Sequence, residues 1–229
     1  MSEKLEEKRG CFGRLTFLFV VLLLGGFAAA LYFIAQPQTM DDVSGYRVGG
    51  GSGHSRDLRK VMENAVERGY PVTISEAEIN RYIRRTLKTR QGGTLSKWVS
   101  IKGVAVRLED GRAEIIIERR IAKHDFTVSM YLNIEQTEDA EGSIKTALNL
   151  HGGPFFEQVP WLNRGGRFGQ LVVPQGFLVL VLDSFRAIAK DYESELNLAF
   201  EKMTRIRIEK NQLVLDPRLP GSSMGLGDF

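Results

Sequence analysis

The sequence predicts an α+β domain carried on one membrane-crossing helix. Three observations lead there. An uncharged apolar run occupies Leu15 to Ala35, apolar spacing changes from helical to alternating near Val99, and a long apolar-to-amphipathic stretch runs from Phe177 to Met203. The expected order is one N-terminal transmembrane helix, two helices, a four-stranded antiparallel meander, a long helix packed on the sheet and a C-terminal hairpin.

The run LTFLFVVLLLGGFAAALYFIA has the length a helix needs to cross the hydrocarbon core. It has no polar face, which argues against a buried core helix. A cleaved signal peptide would need a shorter apolar region ending at small residues; Ala28 to Ala30 supply such residues, but apolar sequence continues to Ala35. Lys4, Lys8, Arg9 and Arg14 precede the span, whereas Asp41 and Asp42 come before any cation on the other side. The charge bias predicts a single-pass inner (cytoplasmic) membrane protein with residues 1–14 in the cytoplasm and the C-terminal domain outside it. Residues 36–56, with Pro37 and VGGGSGHS, read as a flexible linker. Residues 57–216 read as the domain, and the Gly-, Ser- and Pro-containing 217–229 as a disordered tail.

Within the domain, Leu58, Val61, Met62, Ala65 and Val66 share one helical stripe that Gly69 ends. Ser75 followed by Glu78 is a capping box. The helix it opens carries Ile79, Tyr82, Ile83 and Leu87 on one side and Arg81, Arg84, Arg85 and Lys88 on another, and should stop at Gly92-Gly93. Strands follow. Val99 and Ile101 change phase at Gly103, which predicts a bulge. Glu109-Asp110-Gly111 reads as a turn, Ala113, Ile115, Ile117 and Ile121 as the next apolar face, Phe126 to Ile134 as a half-buried strand, and Ile144 to Leu150 as the fourth. Residues 151–176 read as irregular, Phe177 to Met203 as one helix, and Ile206 to Leu215 as a hairpin turning at Lys210-Asn211.

Catalytic chemistry has little support. The histidines His54, His124 and His151 show no ligand spacing, no nucleophile elbow or phosphate loop exists, and the lone Cys11 precedes the span. The expectation is therefore no catalytic residue, no metal, no cofactor and no enzyme; an envelope hydrolase built from dispersed residues is the weakest alternative. A net charge of +3 does not point to nucleic acid.

Two features remain. The basic stripe Arg81, Arg84, Arg85 and Lys88, to which Lys97 and Lys102 could add, suits an anionic surface or is simply a solvated helix face. The apolar Phe177, Leu178, Leu180, Val181 and Phe185 suit an acyl-chain groove or an ordinary core. The pieces Thr73 to Ile83, Val99 to Leu150 and Phe177 to Met203 resemble small bacterial membrane-anchored domains similar to the tubular lipid-binding (TULIP-like) superfamily. In that family a curved antiparallel sheet wraps a long helix around an apolar lumen. The resemblance implies handling of lipid or another apolar ligand at the outer face of the membrane, and assigns no residue. The alternative expectation is a cell-envelope scaffold making protein contacts through the basic helix and the Phe155 to Phe168 segment.

Overall fold

The computed structural model describes residues 7–47, 56–88, 99–138 and 144–218, with side chains from residue 13 onward. Helix α1 (Glu7–Ala35) contains the apolar span, and Gly13–Ala35 is long and apolar enough to cross a membrane. Its side chains project into the surroundings rather than into the domain; Phe17, Leu22 and Leu24 are each more than three-fifths exposed.

After the anchor come α2 (Leu58–Arg68), β1 (Val72–Ser75) and α3 (Glu76–Thr86). Both helices obey the local signals. Gly69 closes α2 in the left-handed region, at φ 65°. Ser75 and Glu78 form the reciprocal capping box on α3. The Gly92-Gly93 stop lies outside the described residues, and α3 itself ends at Thr86.

The main sheet has seven strands, not four. β2 (Val99–Glu109), β3 (Arg112–Ile121), β4 (His124–Glu138) and β5 (Ile144–Asn149) form the expected antiparallel series. The register of β2 on β3 slips between Ile101 and Gly103, at the expected bulge. The segment expected to be irregular instead supplies β6 (Pro154–Phe156), β7 (Val159–Phe168) and β8 (Leu171–Pro174), and β7 pairs with β4. Glycine explains both the misreading and the structure. Gly166 sits so close to β4 that a Cβ there would lie 1.9 Å from the Ser129 carbonyl oxygen. A glycine-rich segment looks like a loop in sequence, yet here the missing side chain permits the strand pairing.

The stretch expected to be one long helix is three pieces: a 3₁₀ turn (Gln175–Leu180), α4 (Leu182–Asp191) and α5 (Glu193–Lys202). Breaks fall at Val181 and Tyr192, both off helical geometry. Six consecutive apolar residues cannot all face the sheet; the 3₁₀ turn sends Leu178 inward and leaves Val179 and Leu180 outside. At the second break Tyr192 reaches across to α3, where its hydroxyl donates to the Ile83 carbonyl at 3.2 Å.

The terminal hairpin forms as expected, from β9 (Arg205–Glu209) and β10 (Gln212–Asp216). β1, read from sequence as a mere link, pairs with β10 to complete a separate three-stranded sheet. One face of the main sheet receives α3, the 3₁₀ turn and α4 around Val104, Ile117, Met130, Leu178, Phe185 and Ile188. The small sheet packs with α2 and α5 at the end of the main sheet where β2 turns into β3.

The other face of the main sheet is also covered. Residues 37–47, expected to begin a flexible linker, are pinned across it, with Met40 and Val43 buried on Ala105 and Ile116. The glycine- and serine-rich remainder of that linker lies outside the described residues, as does most of the expected tail. At the start of that tail Arg218 pairs with Asp216 at 2.8 Å.

Candidate functional site

The site is built where the apolar helix α1 meets the sheet. The Gln170 N–H, in the turn between β7 and β8, donates to the Phe33 carbonyl at 3.0 Å, and the adjacent Gly169 N–H donates to the Thr127 carbonyl at 2.8 Å. Gly169 has φ +57°, and a Cβ there would come within 2.7 Å of the carbonyls of Phe33, Ile34 and Gln36. The close approach therefore requires glycine. Three residues beyond the helix, the Gln38 N–H donates to Thr127 Oγ1 at 2.8 Å and its side-chain amide to Ser129 Oγ at 3.1 Å. Thr127 pairs with Glu118, and Glu118 with Gly103. The row Gly103–Glu118–Thr127 thus marks the level of the sheet at which the anchor joins it.

The strap continues through a buried polar cluster. Glu114, 1% exposed, accepts from Ser129 Oγ at 2.5 Å and is paired with Arg107, while Arg167 lies 3.8 Å away. Arg107 also holds Asp42 of the strap at 2.9 Å. Burial opposes its charge, but Glu114 and Asp42 raise the Arg107 pKa on balance. Farther along, the Ser44 N–H donates to Glu76 at 2.7 Å and the Asn80 side chain donates to the Ser44 carbonyl at 2.9 Å.

Beside the joint, on the helix-covered face, lies the apolar 3₁₀ turn. Its exposed side chains are Phe177 at 52%, Val179 at 73% and Leu180 at 72%. Arg119, one residue beyond the joint row in β3, hydrogen-bonds Ser184 in the first turn of α4. This holds the start of α4, and the turn that feeds it, close to the level of the anchor. Burial lowers the Arg119 pKa. The expected groove residues are therefore divided: Leu178 and Phe185 are packed in the core, Phe177 and Leu180 face outward, and Val181 is intermediate. None of them lines either of two described clefts, both of which mix charged and apolar groups.

The expected basic stripe is exposed at Arg84, Arg85 and Lys88, while Arg81 is half-buried. Arg85 lies over the Tyr82 ring at 5.7 Å, and Arg84 donates to the Tyr46 carbonyl at 3.2 Å. One cleft, of about 480 Å³, lies between this helix, the strap and the β2 bulge; Tyr46, Arg47, Arg84, Leu87, Lys102 and Glu118 contribute to its lining. Inside it Glu118 accepts from the Tyr46 hydroxyl at 2.5 Å and from Lys102 Nζ at 2.6 Å. Burial, then the Glu118 hydrogen bond, push the Tyr46 hydroxyl far above its usual titration range, so it stays protonated. The second cleft, of about 620 Å³, lies toward the small sheet and includes Asp42, Arg107, Glu109, Arg112 and Lys210.

Sequence reasoning missed Tyr46 and Arg47 because they sit in a segment read as linker. The signal was present: Met40, Val43 and Tyr46 recur every three residues, an apolar spacing that a solvated linker does not need.

The chain is thus an α+β protein whose N-terminal helix, long and apolar enough to cross a membrane, is joined directly to its main sheet. Neither a protein-family model nor a curated protein matches it.

Proposed function

We propose that the protein is a membrane-anchored extracytoplasmic domain whose ligand is lipid, taken at the bilayer surface without chemistry of its own. The observation that carries this reading is the exposed apolar turn Phe177–Val179–Leu180, held near the level at which the anchor leaves the sheet. An apolar turn exposed in water is costly, at about 25 cal/mol per Å² of apolar surface. Beside a lipid interface the same surface is favourable. The N-terminal charge bias supports a cytoplasmic N-terminus, and the TULIP-like resemblance supports the ligand class, with contact at an exposed turn in place of an enclosed lumen.

The test uses the full chain in lipid nanodiscs, with Cys11→Ser and Val179→Cys carrying an environment-sensitive fluorophore. Lipid contact predicts a blue-shifted emission quenched by spin-labelled lipid. Emission typical of water, without quenching, refutes it.

A second reading, an envelope scaffold, is favoured by one observation. Trp161 is 80% exposed and Phe156 53% exposed on the β6–β7 hairpin. Trp161 lies seven residues before Phe168 in β7, roughly 23 Å away along an extended strand. Under this reading Trp161→Ala abolishes crosslinks from that hairpin to a partner protein and leaves lipid contact unchanged; unaltered crosslinks would exclude it.

A further inference from the structure

We infer that the cleft between the strap, α3 and the β2 bulge is a seat for the phosphate of an anionic phospholipid headgroup. The inference rests on the reading that this level of the domain meets the bilayer.

Position is the first argument. Gly103 and Glu118, both in the cleft, belong to the row that runs across the sheet to Thr127 and the end of the anchor. The α3 helix enters from the far side. Asn80 contacts Val106, while Ile83 and Leu87 pack with the core around Val104 and Ile101, so the C-terminal, arginine-bearing half of α3 approaches the same row. The cleft is therefore at the height of the anchor exit and displaced sideways along the sheet.

Charge is the second. Arg47, Arg84 and Lys102 face one carboxylate, Glu118. Glu118 does not repel an incoming anion as a bare charge would, because Tyr46 and Lys102 both donate to it. Lys102 is further held by Asp125 at 2.8 Å. Arg84 donates one N–H to the Tyr46 carbonyl, and a guanidinium carries five donors in a planar fork suited to phosphate. Among the described residues Arg47 pairs with Asp41 across an open surface, both side chains being 66% exposed; such a pair exchanges readily for a phosphate. With Lys102 committed to Glu118 and Asp125, two arginines, Arg47 and Arg84, are left to meet a phosphate at a volume of about 480 Å³, room for a glycerophosphate group.

Apolar walls are the third. Leu87, half-buried, is the apolar wall open to a ligand, with Met40 and Val104 buried behind it. A free inorganic ion gains nothing from them, whereas the glycerol and first methylenes of a lipid do. The shared chemistry is a phosphate ester, and the walls select the lipid as its source.

The test uses the full chain in nanodiscs of phosphatidylcholine with an equal share of phosphatidylglycerol, followed by gentle release and native mass spectrometry of retained lipid. The expected result is a severalfold enrichment of phosphatidylglycerol over its share in the disc. Arg47→Gln with Arg84→Gln should return retained phosphatidylglycerol to its share in the disc, while the remote Arg207→Gln should leave the enrichment unchanged. Inorganic phosphate at millimolar concentration should fail to displace the lipid. Unchanged enrichment in the double variant overturns the site. Displacement by inorganic phosphate overturns the lipid source. Because a double variant that unfolds would also lose lipid, each single variant is measured beside it and must melt with the parent; intact singles that both retain full enrichment overturn the site as well. The Val179 fluorophore separates the two levels of the argument: quenching in pure phosphatidylcholine without any phosphatidylglycerol preference defeats the cleft alone, and no quenching defeats the reading beneath it.

Discussion

Asn80→Asp should destabilise the domain by several kcal/mol at neutral pH, and lowering the pH should shrink the deficit. Asn80 is fully buried on α3 and faces the outer edge of β2. Its side chain accepts from the Val106 N–H at 2.7 Å and donates to the carbonyls of Val106 at 2.8 Å and Ser44 at 2.9 Å. One turn earlier, Glu76 accepts from the Leu108 N–H at 2.7 Å. Four helical residues rise about 6 Å and two strand residues about 6.6 Å, so these positions match alternate groups of an unpaired strand edge. The aspartate would keep the acceptor but replace the donating amide by a second acceptor aimed at two carbonyls. Two lost hydrogen bonds at about 1 kcal/mol each, plus a buried charge held by a single N–H donor, give about 3–5 kcal/mol. For a domain of this size that is a fall in Tm of about 6–20 °C. The sign of the pH effect follows from burial and from the carbonyls, which both favour the protonated acid. The introduced group's folded pKa is then raised above its unfolded value, the folded state binds the extra proton, and the difference from the parent narrows as pH falls through that raised value and stops narrowing once pH is below the ordinary carboxylate range. The assay is thermal unfolding of full-length parent and variant in identical nanodiscs, followed by near-UV circular dichroism between neutral and mildly acidic pH. A variant melting within about 3 °C of the parent at pH 7, or a deficit that grows on acidification, refutes the edge-capping argument.

Gly166→Ala should separate β7 from β4, because the new Cβ would meet the Ser129 carbonyl oxygen at 1.9 Å and neither backbone can yield without losing the ladder. A loss of at least about 3 kcal/mol is expected, against almost none for Gly176→Ala, whose Cβ would meet nothing within 4 Å; equal melting of the two variants by calorimetry contradicts this. The parent should lose stability in acid through Glu78 and Asp216. Burial raises the Glu78 pKa, but the Ser75 amide and hydroxyl and Arg56 outweigh it, and Arg218 holds Asp216 low against its burial. Both folded pKa values lie below the unfolded ones, so the stabilisation is complete above the ordinary carboxylate range and disappears as pH falls through the depressed values. Glu78→Gln should flatten that acid limb in a pH series of unfolding midpoints; an unchanged limb would remove Glu78 from the account.

Much of the scaffold could be read along the chain because its causes are local. The α2 stop at Gly69, the α3 capping box, the bulge at Gly103 and the turns at Gly111 and Asn211 each depend on a few adjacent residues. The parts that could not be read depend on distant partners. β7 is a strand because Gly166 finds β4, and Asn80 and Glu76 are buried because β2 has an open edge 26 to 32 residues away. For the candidate site, Arg84 and Lys102 were visible as cations but their meeting was not. It needs the strap, and the strap looked like a linker because Pro37 and the later glycines set its composition. The apolar turn was visible as residues and misread as a helix: six apolar positions in a row carry no phase, so nothing in the sequence says which of them faces the sheet.

The docked strap changes what weak contacts can do. A free tether of about 20 flexible residues would let the domain wander some 25 Å from its anchor, in any orientation. Here Gln38, three residues past the end of α1, is already bonded to Thr127 and Ser129. Three residues of slack allow about 10 Å at full extension, and the Gln170–Phe33 hydrogen bond removes most of that. The orientation of the sheet to the anchor is thus set by the fold before any lipid is met. A basic side chain at an anionic surface contributes only about 1 kcal/mol, too little to recruit a free protein. In a domain that has already given up its translational and rotational freedom to the anchor, the same contribution acts almost in full. On the proposed lipid-binding reading, Arg47, Arg84 and the turn at Val179 therefore need no great individual affinity. Their effect depends on the joint at Gly169, and loosening that joint should weaken lipid contact at both places together, with every contacting residue intact.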